Sequence, residues 1–535
     1  MLFASSLPLI AASCKNNETK EPKKEPEMDA PIAPPTDPGK NNETKESKKE
    51  PETDTPIAPP TDPGKNNETK EPKKEPEMDA PITPPTDPGK DNPEKTDPDQ
   101  NEEAKIIKTD ISKLMLQTNL TNNTTKKDIL ELLKKQNKLG NLTESDFDFK
   151  LEKKALLNRE GEISITSKSK SKLISGTLLL TIDRLQEVTP RKHKYSADKT
   201  VVLEIGYNKY GQIEQFDRNV KKVPEVLPEE VISLYSAFNS NENETIENID
   251  KWDTSNIENM SQMFFGAKNF NTDISNWKTD KVKNMSYMFF AAKKFSKNLD
   301  KWNTANVENM NRMFQEAEAF NGNISTWDTK NVSDMAYMFS GATAFNNNIS
   351  SWNVDNVITM ERMFQNASKF NSPIFKLVKP KVKNMQYMFY NAREFNSSNI
   401  SNWNTSSVTD IRAMFRGAAM FNKNLNWETE KITNMSYLFA EASSFNGDIT
   451  KWNTGNVVDM SGMFWKASAF NKDISSWNIK KVKDVTGMFY FATNFDHSLK
   501  KWKFEQGTTD NNFANGTKLR NDSNKLPVFE PTKTK

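Results

Sequence analysis

The sequence predicts an α/β repeat solenoid, with one helix and one short parallel strand per 25 residues, preceded by a disordered stalk and a small α+β module. Three observations carry this expectation. Trp252, Trp277, Trp302, Trp327 and Trp352 recur every 25 residues, Leu377 takes the next slot, and Trp403, Trp427, Trp452, Trp477 and Trp502 complete the series. Proline is concentrated elsewhere, 17 of 27 lying between Lys15 and Gly89. Between these regions the chain turns to alternating apolar and polar segments. At 35% hydrophobic and 27% charged, the 535 residues hold too few apolar groups for all of them to pack.

Residues 1–13, MLFASSLPLIAAS, form an apolar run shorter than the about 20 residues a spanning helix needs, and they read as a signal peptide. Small residues at 11–13 followed by Cys14, the one cysteine of the chain, resemble a bacterial lipoprotein processing site. The resemblance implies a diacylated Cys14 as the mature N-terminus and a membrane anchor without a spanning helix. Two features depart from that pattern: no lysine or arginine precedes the run, and Ala11 stands where leucine is commoner. Residues 14–103 read as a lipid-anchored, disordered stalk, because KNNETKEPKKEPEMDAPIAPPTDPG (Lys15 to Gly39) returns nearly verbatim twice more and buries too little to offset its ordering entropy.

Residues 104–222 read as a small α+β module. KKDILELLKKQNKL (Lys126 to Leu139) has Ile129, Leu132 and Leu133 at helical spacing before Gly140, and alternating segments follow at 146–151, 162–166, 173–182 and 201–207. This order of helix and hairpins resembles the spiralin-like modules of mollicute lipoproteins. One cysteine and two histidines exclude a disulfide framework and multi-cysteine or histidine-rich metal sites. No glycine-rich phosphate loop and no GxSxG elbow occurs in the module, and His193, inside RKHKY, reads as part of a solvated loop. The expectation is a non-enzymatic chain without cofactor or metal.

Residues 223–245 carry VPEVLPEEVISLYSAF, with Pro228 at a helix start, two glutamates in its first turn, and Val231, Ile232, Leu234, Tyr235 and Phe238 near one side. They predict an N-terminal capping helix for the repeats at 246–504. In a typical unit Val307, Met310, Met313, Phe314, Ala317 and Phe320 span an arc of about 140° at 100° per residue, one helix face. The alanine slot holds alanine throughout, and the isolated Ile324 of NGNIST suits a short strand. The pattern WxTxxVxxMxxMFxxAxxFNxxIS resembles the BspA-like leucine-rich-repeat surface proteins found on mycoplasma lipoproteins. That resemblance implies an exported, membrane-anchored, leucine-rich-repeat-like solenoid with a role in host-cell adhesion and no catalytic residues. Around Ser372 to Trp403, where Leu377 replaces tryptophan and Pro380 intervenes, strand pairing is expected to lapse. Residues 505–535 read as a polar C-terminal tail.

Two slots of the presumed helix accept residues that a sealed core would not. One holds Gln262, Tyr287, Arg312, Tyr337, Arg362, Tyr387, Ala413 and Tyr437; the other holds Phe265, Phe290, Gln315, Ser340, Gln365, Tyr390, Arg416, Trp465 and Tyr490. Exposed aromatics among arginines suit contact with a host protein or glycan, and rim packing over a neighbouring unit is the alternative. The asparagines after the phenylalanine, from Asn271 to Asn471, read as a buried amide ladder satisfying backbone groups. Lysine pairs at 281/283, 381/383 and 481/483 are four units apart with acids between them, so no basic stripe for nucleic acid exists. The functional expectation is an adhesion or host-interaction protein on the extracellular face of the plasma membrane, or else a variable antigenic coat without a dedicated ligand. Mass spectrometry of the native protein should find two or three acyl chains on Cys14; an unmodified, soluble mature form in cells would sink the anchor.

Overall fold

The computed structural model describes residues 107–116 and 119–530. The expected signal peptide, Cys14 and the stalk lie outside them, as do residues 531–535. The first core is built from β1 (Thr109–Asp110), α1 (Lys126–Lys134), β2 (Phe147–Lys153), β3 (Gly161–Ser167), β4 (Ile174–Ser175) and β5 (Thr177–Ile182). Thr125 and Asp128 close a reciprocal capping box at the start of α1, which buries Ile129, Leu130 and Leu133. Leu132 is half-buried, and the helix ends before Gly140. Strands β2, β3 and β5 form an antiparallel meander, while β1 pairs with β4 in parallel. Alternate residues of β3 and β5 (Ile163, Ile165, Leu178, Leu180, Ile182) turn onto the helix side chains in one core.

A second core runs from Val202 to Leu519 without a break. After the hairpin of β6 (Lys194–Tyr195) and β7 (Val202–Glu204), parallel bridges link Gln212, Ser233, Asn259, Asn284, Asn309 and Asp334, and continue through Thr359, Asn384, Asp410, Asn434, Asp459 and Asp484 to Thr509. Successive 25-residue units therefore lie side by side as coils.

The helix expected in each unit is absent, and this corrects the reading of 246–504. Residues 310–317 form two consecutive turns, closed by Met313 N–H to the Met310 carbonyl (3.2 Å) and by Ala317 N–H to the Phe314 carbonyl (3.1 Å). Arg312 and Glu316, each third in its turn, sit at φ +56° and +58°, the left-handed conformation of a type II turn. The N–H groups between these turns point out of the unit: Arg312, Phe314 and Glu316 donate to Ala336, Met338 and Ser340 at 3.0, 2.9 and 2.7 Å. An α-helix would keep these bonds inside itself. The apolar offsets suited a helix because a chain that turns every four residues returns similar positions to one side. No strand forms at Ile324 either; it is buried, and its carbonyl accepts from Trp327 in a turn.

Coils this thin let identical side chains stack. Phenylalanine rings one unit apart, from Phe264–Phe289 to Phe464–Phe489, are 5.4–5.8 Å between centroids, whereas packed helix axes come no closer than about 8 Å. Buried threonines (Thr254, Thr279, Thr304, Thr329, Thr405, Thr429, Thr454) each donate Oγ1 to a carbonyl of the next coil at 2.7–2.9 Å. The Trp277 to Trp352 indoles donate to the carbonyls of Ile249, Ile274, Leu299 and Ile324 at 2.9–3.2 Å. Each coil also closes an Asx turn, for example Asn311 N–H to Asn309 Oδ1 at 2.8 Å.

Both ends of the array differ from expectation. Residues 223–245 form no capping helix: Pro228 opens a turn closed by Val231, Ser236 and Ser240 are left-handed, and Phe238 N–H bonds the Met263 carbonyl at 2.8 Å, so the segment is itself a coil. The end is covered instead by residues before 223, with Ile205, Tyr207, Ile213, Phe216 and Val220 buried. Residues 505–530 are not a free tail. Phe513 and Leu519 are buried, and β8 (Lys503–Phe504) pairs in parallel with β9 (Val528–Phe529).

The bridges pass through Thr359, Asn384 and Asp410 without a gap, so the expected lapse at 372–403 does not occur in the ladder. Pro380 lies outside the bonded segment, and what breaks there is the tryptophan row, where Phe375 stacks on Trp403 at 5.5 Å, together with the turn that neighbouring coils close at Val357 and Val408 and that Val382 does not. The alanines stay fully buried throughout. Ala342→Leu should cost about 1–3 kcal/mol through overpacking, read as a lower urea midpoint; an unchanged midpoint would mean that the slot has room.

Candidate binding face

The left-handed position of the first turn is the slot occupied by Gln262, Tyr287, Arg312, Tyr337, Arg362, Tyr387, Ala413 and Tyr437, all with φ between +51° and +58°. A non-glycine residue there is strained by about 1 kcal/mol or more. Phe265, Phe290, Tyr390, Arg416, Trp465 and Tyr490 stand three residues further on, where each donates its N–H to close the second linkage of the corner, as Tyr390 does to the Tyr387 carbonyl at 3.1 Å. All twelve candidates (Tyr287, Tyr337, Tyr387, Tyr437, Phe265, Phe290, Tyr390, Trp465, Tyr490, Arg312, Arg362, Arg416) are half-buried. The stacking of coils brings them into two adjoining rows on one side of the array.

In the first row, tyrosine and arginine alternate face to face. The Arg312 guanidinium lies 5.5 Å from the Tyr287 ring and 4.0 Å from Tyr337, and Arg362 lies 5.5 Å from Tyr337 and 4.6 Å from Tyr387. The row continues through Arg412, 5.5 Å from Tyr387, and Arg416, 5.4 Å from Tyr437 and 5.6 Å from Tyr390. Each such contact is worth about 0.5–1 kcal/mol where exposed, the same order as the backbone strain it offsets. Acids balance the cations: Glu361 accepts from the Tyr337 hydroxyl at 3.3 Å and lies 3.5 Å from Arg362 Nε, and Glu441 lies 3.4 Å from Arg416. The Arg362–Glu361 pair is within ionic reach but misaligned for a hydrogen bond, so Arg362 Nε is a buried polar atom without a partner among the described residues, as are Arg412 Nε and Gln365 Oε1. Burial holds the Tyr337 and Tyr437 hydroxyls above the usual phenol range.

The second row is aromatic at both ends. Phe265 stacks on Phe290 at 4.5 Å, and Trp465 lies 4.3 Å from Tyr490. Arg412, Glu361, Glu441 and Phe491 escaped the sequence reading. Arg412 could have been found from the 26-residue spacing that precedes it, which puts Ala413 in the slot and arginines on either side.

Other candidates resolve into structure. His193 is not in a solvated loop: it is half-buried, accepts from Gly206 N–H at Nδ1 (2.8 Å), meets the Glu214 carbonyl at Nε2 (2.8 Å) and packs on Phe216, and its burial lowers its pKa. The asparagine ladder forms, with Asn321, Asn346 and Asn371 accepting from the N–H of the residue one unit on at 2.8–2.9 Å, but these three are exposed rather than buried. Lys281, Lys381 and Lys481 donate to Asn256, Asn356 and Asn456, while Lys283 and Lys483 pair with Glu258 and Glu505. Among the described residues there is no group of three or more potential metal ligands, and no helix long and apolar enough to cross a membrane.

Replacing Arg312 by Gln should lower stability by about 1 kcal/mol, since two ring contacts go, with the loss appearing as faster hydrogen exchange near 287 and 337. No change in exchange would show that the row is not held by stacking.

The family model described as Mycoplasma protein of unknown function, DUF285, matches residues 232–349, 319–426 and 424–526, which together cover more than half of the chain. A spiralin domain model matches residues 102–181. No curated protein and no solved structure matches. The two models support a mycoplasma surface protein.

Proposed function

Because the chain belongs to the DUF285 family of mycoplasma proteins and matches a spiralin domain model over residues 102–181, we propose that it is a surface lipoprotein, held on the outer face of the plasma membrane by acyl chains on Cys14, that binds a host partner through its repeats. On this reading the stacked coils are the solenoid and the chain performs no catalysis. The alternation of arginine and tyrosine carries the proposal. It runs over seven units in half-buried positions, whereas the same coils bury every repeat tryptophan and phenylalanine. Arginine and tyrosine are the residues that most often dominate binding energy at interfaces. Their strained backbone is shared by Ala413, so the ladder does not require these large side chains.

The test uses the Cys14→Ser chain and its Arg312→Gln/Arg362→Gln/Arg416→Gln variant in a host-cell binding assay. Binding should fall by about tenfold or more, ~1.4 kcal/mol. Equal binding by both, or none by the parent, would leave a coat without a dedicated ligand as the better account.

A further inference from the structure

The C-terminal end of this face differs from the rest in one respect. Near the end of the array the left-handed slot holds glycine in two successive units, Gly462 (φ +58°) and Gly487 (φ +59°), before Asn512 (φ +58°). A Cβ at Gly462 would clash with the Tyr437 ring, and one at Gly487 would meet the Trp465 indole at 2.9 Å. Gly516 (φ +79°) stands in the same relation to Phe491, 3.0 Å from its ring. Three rings thus rest on three bare backbone corners of the following coil, and Tyr490 joins them at 4.3 Å from Trp465 and 4.7 Å from Phe491.

Trp465 is set apart from every other tryptophan. The repeat-slot indoles are at most 5% exposed, and those from Trp252 to Trp452 donate to a carbonyl. Trp465 is off the repeat register and half-buried, whereas Trp477 and Trp502, whose N–H groups also find no acceptor among the described residues, are sealed in the core. Phe491 is 47% exposed, whereas the repeat-register phenylalanines are buried.

The size and charge of this patch decide what can cover it. An aromatic side chain buries about 150–250 Å² when fully covered, so four that are already half covered offer on the order of 400 Å². A stable protein partner needs about 800 Å² per side. An organic cation suited to an aromatic cage would meet the Arg416 guanidinium, 5.4 Å from Tyr437; of the nearby acids, Glu441 already pairs with Arg416, and Asp459 and Asp484 accept from their own turns. A neutral ligand of a few rings, with apolar C–H faces to lie on the aromatics and hydroxyls to meet the indole N–H, fits both limits.

We propose that Tyr437, Trp465, Tyr490 and Phe491 form a saccharide-stacking site, built by the glycine corners at 462, 487 and 516. It rests on the reading of the chain as a surface binder and names the ligand class for one end of that face. The rings are held by the fold before any ligand arrives, so binding orders little.

The test probes an array of oligosaccharides of galactose, N-acetylglucosamine, mannose and sialic acid with the Cys14→Ser chain. At least one glycan should bind, with Trp465→Ala lowering its affinity by tenfold or more and Trp465→Phe by less than half as much on a logarithmic scale. The bound glycan should also shield one tryptophan from acrylamide quenching in the parent and none in Trp465→Phe. An array without binding, or binding indifferent to Trp465→Ala in a variant whose thermal midpoint is unchanged, would overturn the site. A chain that binds host cells but no glycan keeps the proposed function and loses this inference; one that binds neither loses both.

Discussion

Everything in the repeat region depends on where its backbone N–H groups go. Within 310–317 they alternate: Met313, Gln315 and Ala317 bond back three residues within their own coil, while Arg312, Phe314 and Glu316 bond across to the next. Neither set alone would hold the chain. The inward set bends it into corners, and the outward set fixes the distance to the neighbouring coil, so each unit is completed only by the one after it. The short distance between coils then dictates composition. A residue stacks on its own counterpart one unit away, which favours flat rings and small or β-branched side chains, and the ladder threonines and indoles satisfy the carbonyls that the backbone leaves over.

The same constraint produces the candidate face. A type II corner needs a residue with positive φ, for which glycine is the usual solution. This chain uses glycine at 462 and 487 but tyrosine or arginine at 287, 312, 337, 362, 387 and 437. Stacking between neighbouring guanidinium and phenol groups is of the same order as the strain, about 1 kcal/mol per position. The row is therefore stabilised by its own contacts and does not depend on a bound partner for its order. Half-burial follows from that geometry, since each ring is covered on the side of its neighbours.

Much of this was legible in the sequence, and the parts that were not fail for a definable reason. The period, the core rows, the alanine slot and the two permissive slots follow from which residues recur. The strands β2, β3 and β5 lie where side chains alternate. The helix did not survive because offsets of three and four residues are shared by a helix and by consecutive four-residue turns. The feature that separates them, positive φ, is announced by glycine in only some units (Gly266, Gly341, Gly417, Gly462, Gly487) and carried elsewhere by Arg, Tyr, Gln, Glu, Asn, Lys, Ala or Phe. The capping segment and the C-terminal tail were misjudged for a related reason. Pro228 and Ser236 serve a turn as readily as a helix start, and residues 505–530 bury only a few widely spaced apolar groups, which look like a tail when counted by composition.

A backbone-determined ladder with substitutable corners separates stability from recognition within one repeat. The apolar rows face the core, where a substitution disturbs the coils on both sides: Ala and Phe do not vary, and Met and Trp give way only to other apolar residues, Ile411, Leu438, Val485 and Leu377. The corner slot accepts Gln, Tyr, Arg, Ala or Gly with φ held within a few degrees of +55°, so its chemistry varies while the coil stays in place. Such a surface can run from a basic-aromatic row near Arg312 and Arg362 to bare glycine under Trp465 within a few coils. It can therefore present different ligand chemistries along one side without altering the fold that carries them. The spiralin-type core lies outside this logic: its residues are held by a meander and one capped helix, and none of its side chains belongs to the repeated rows.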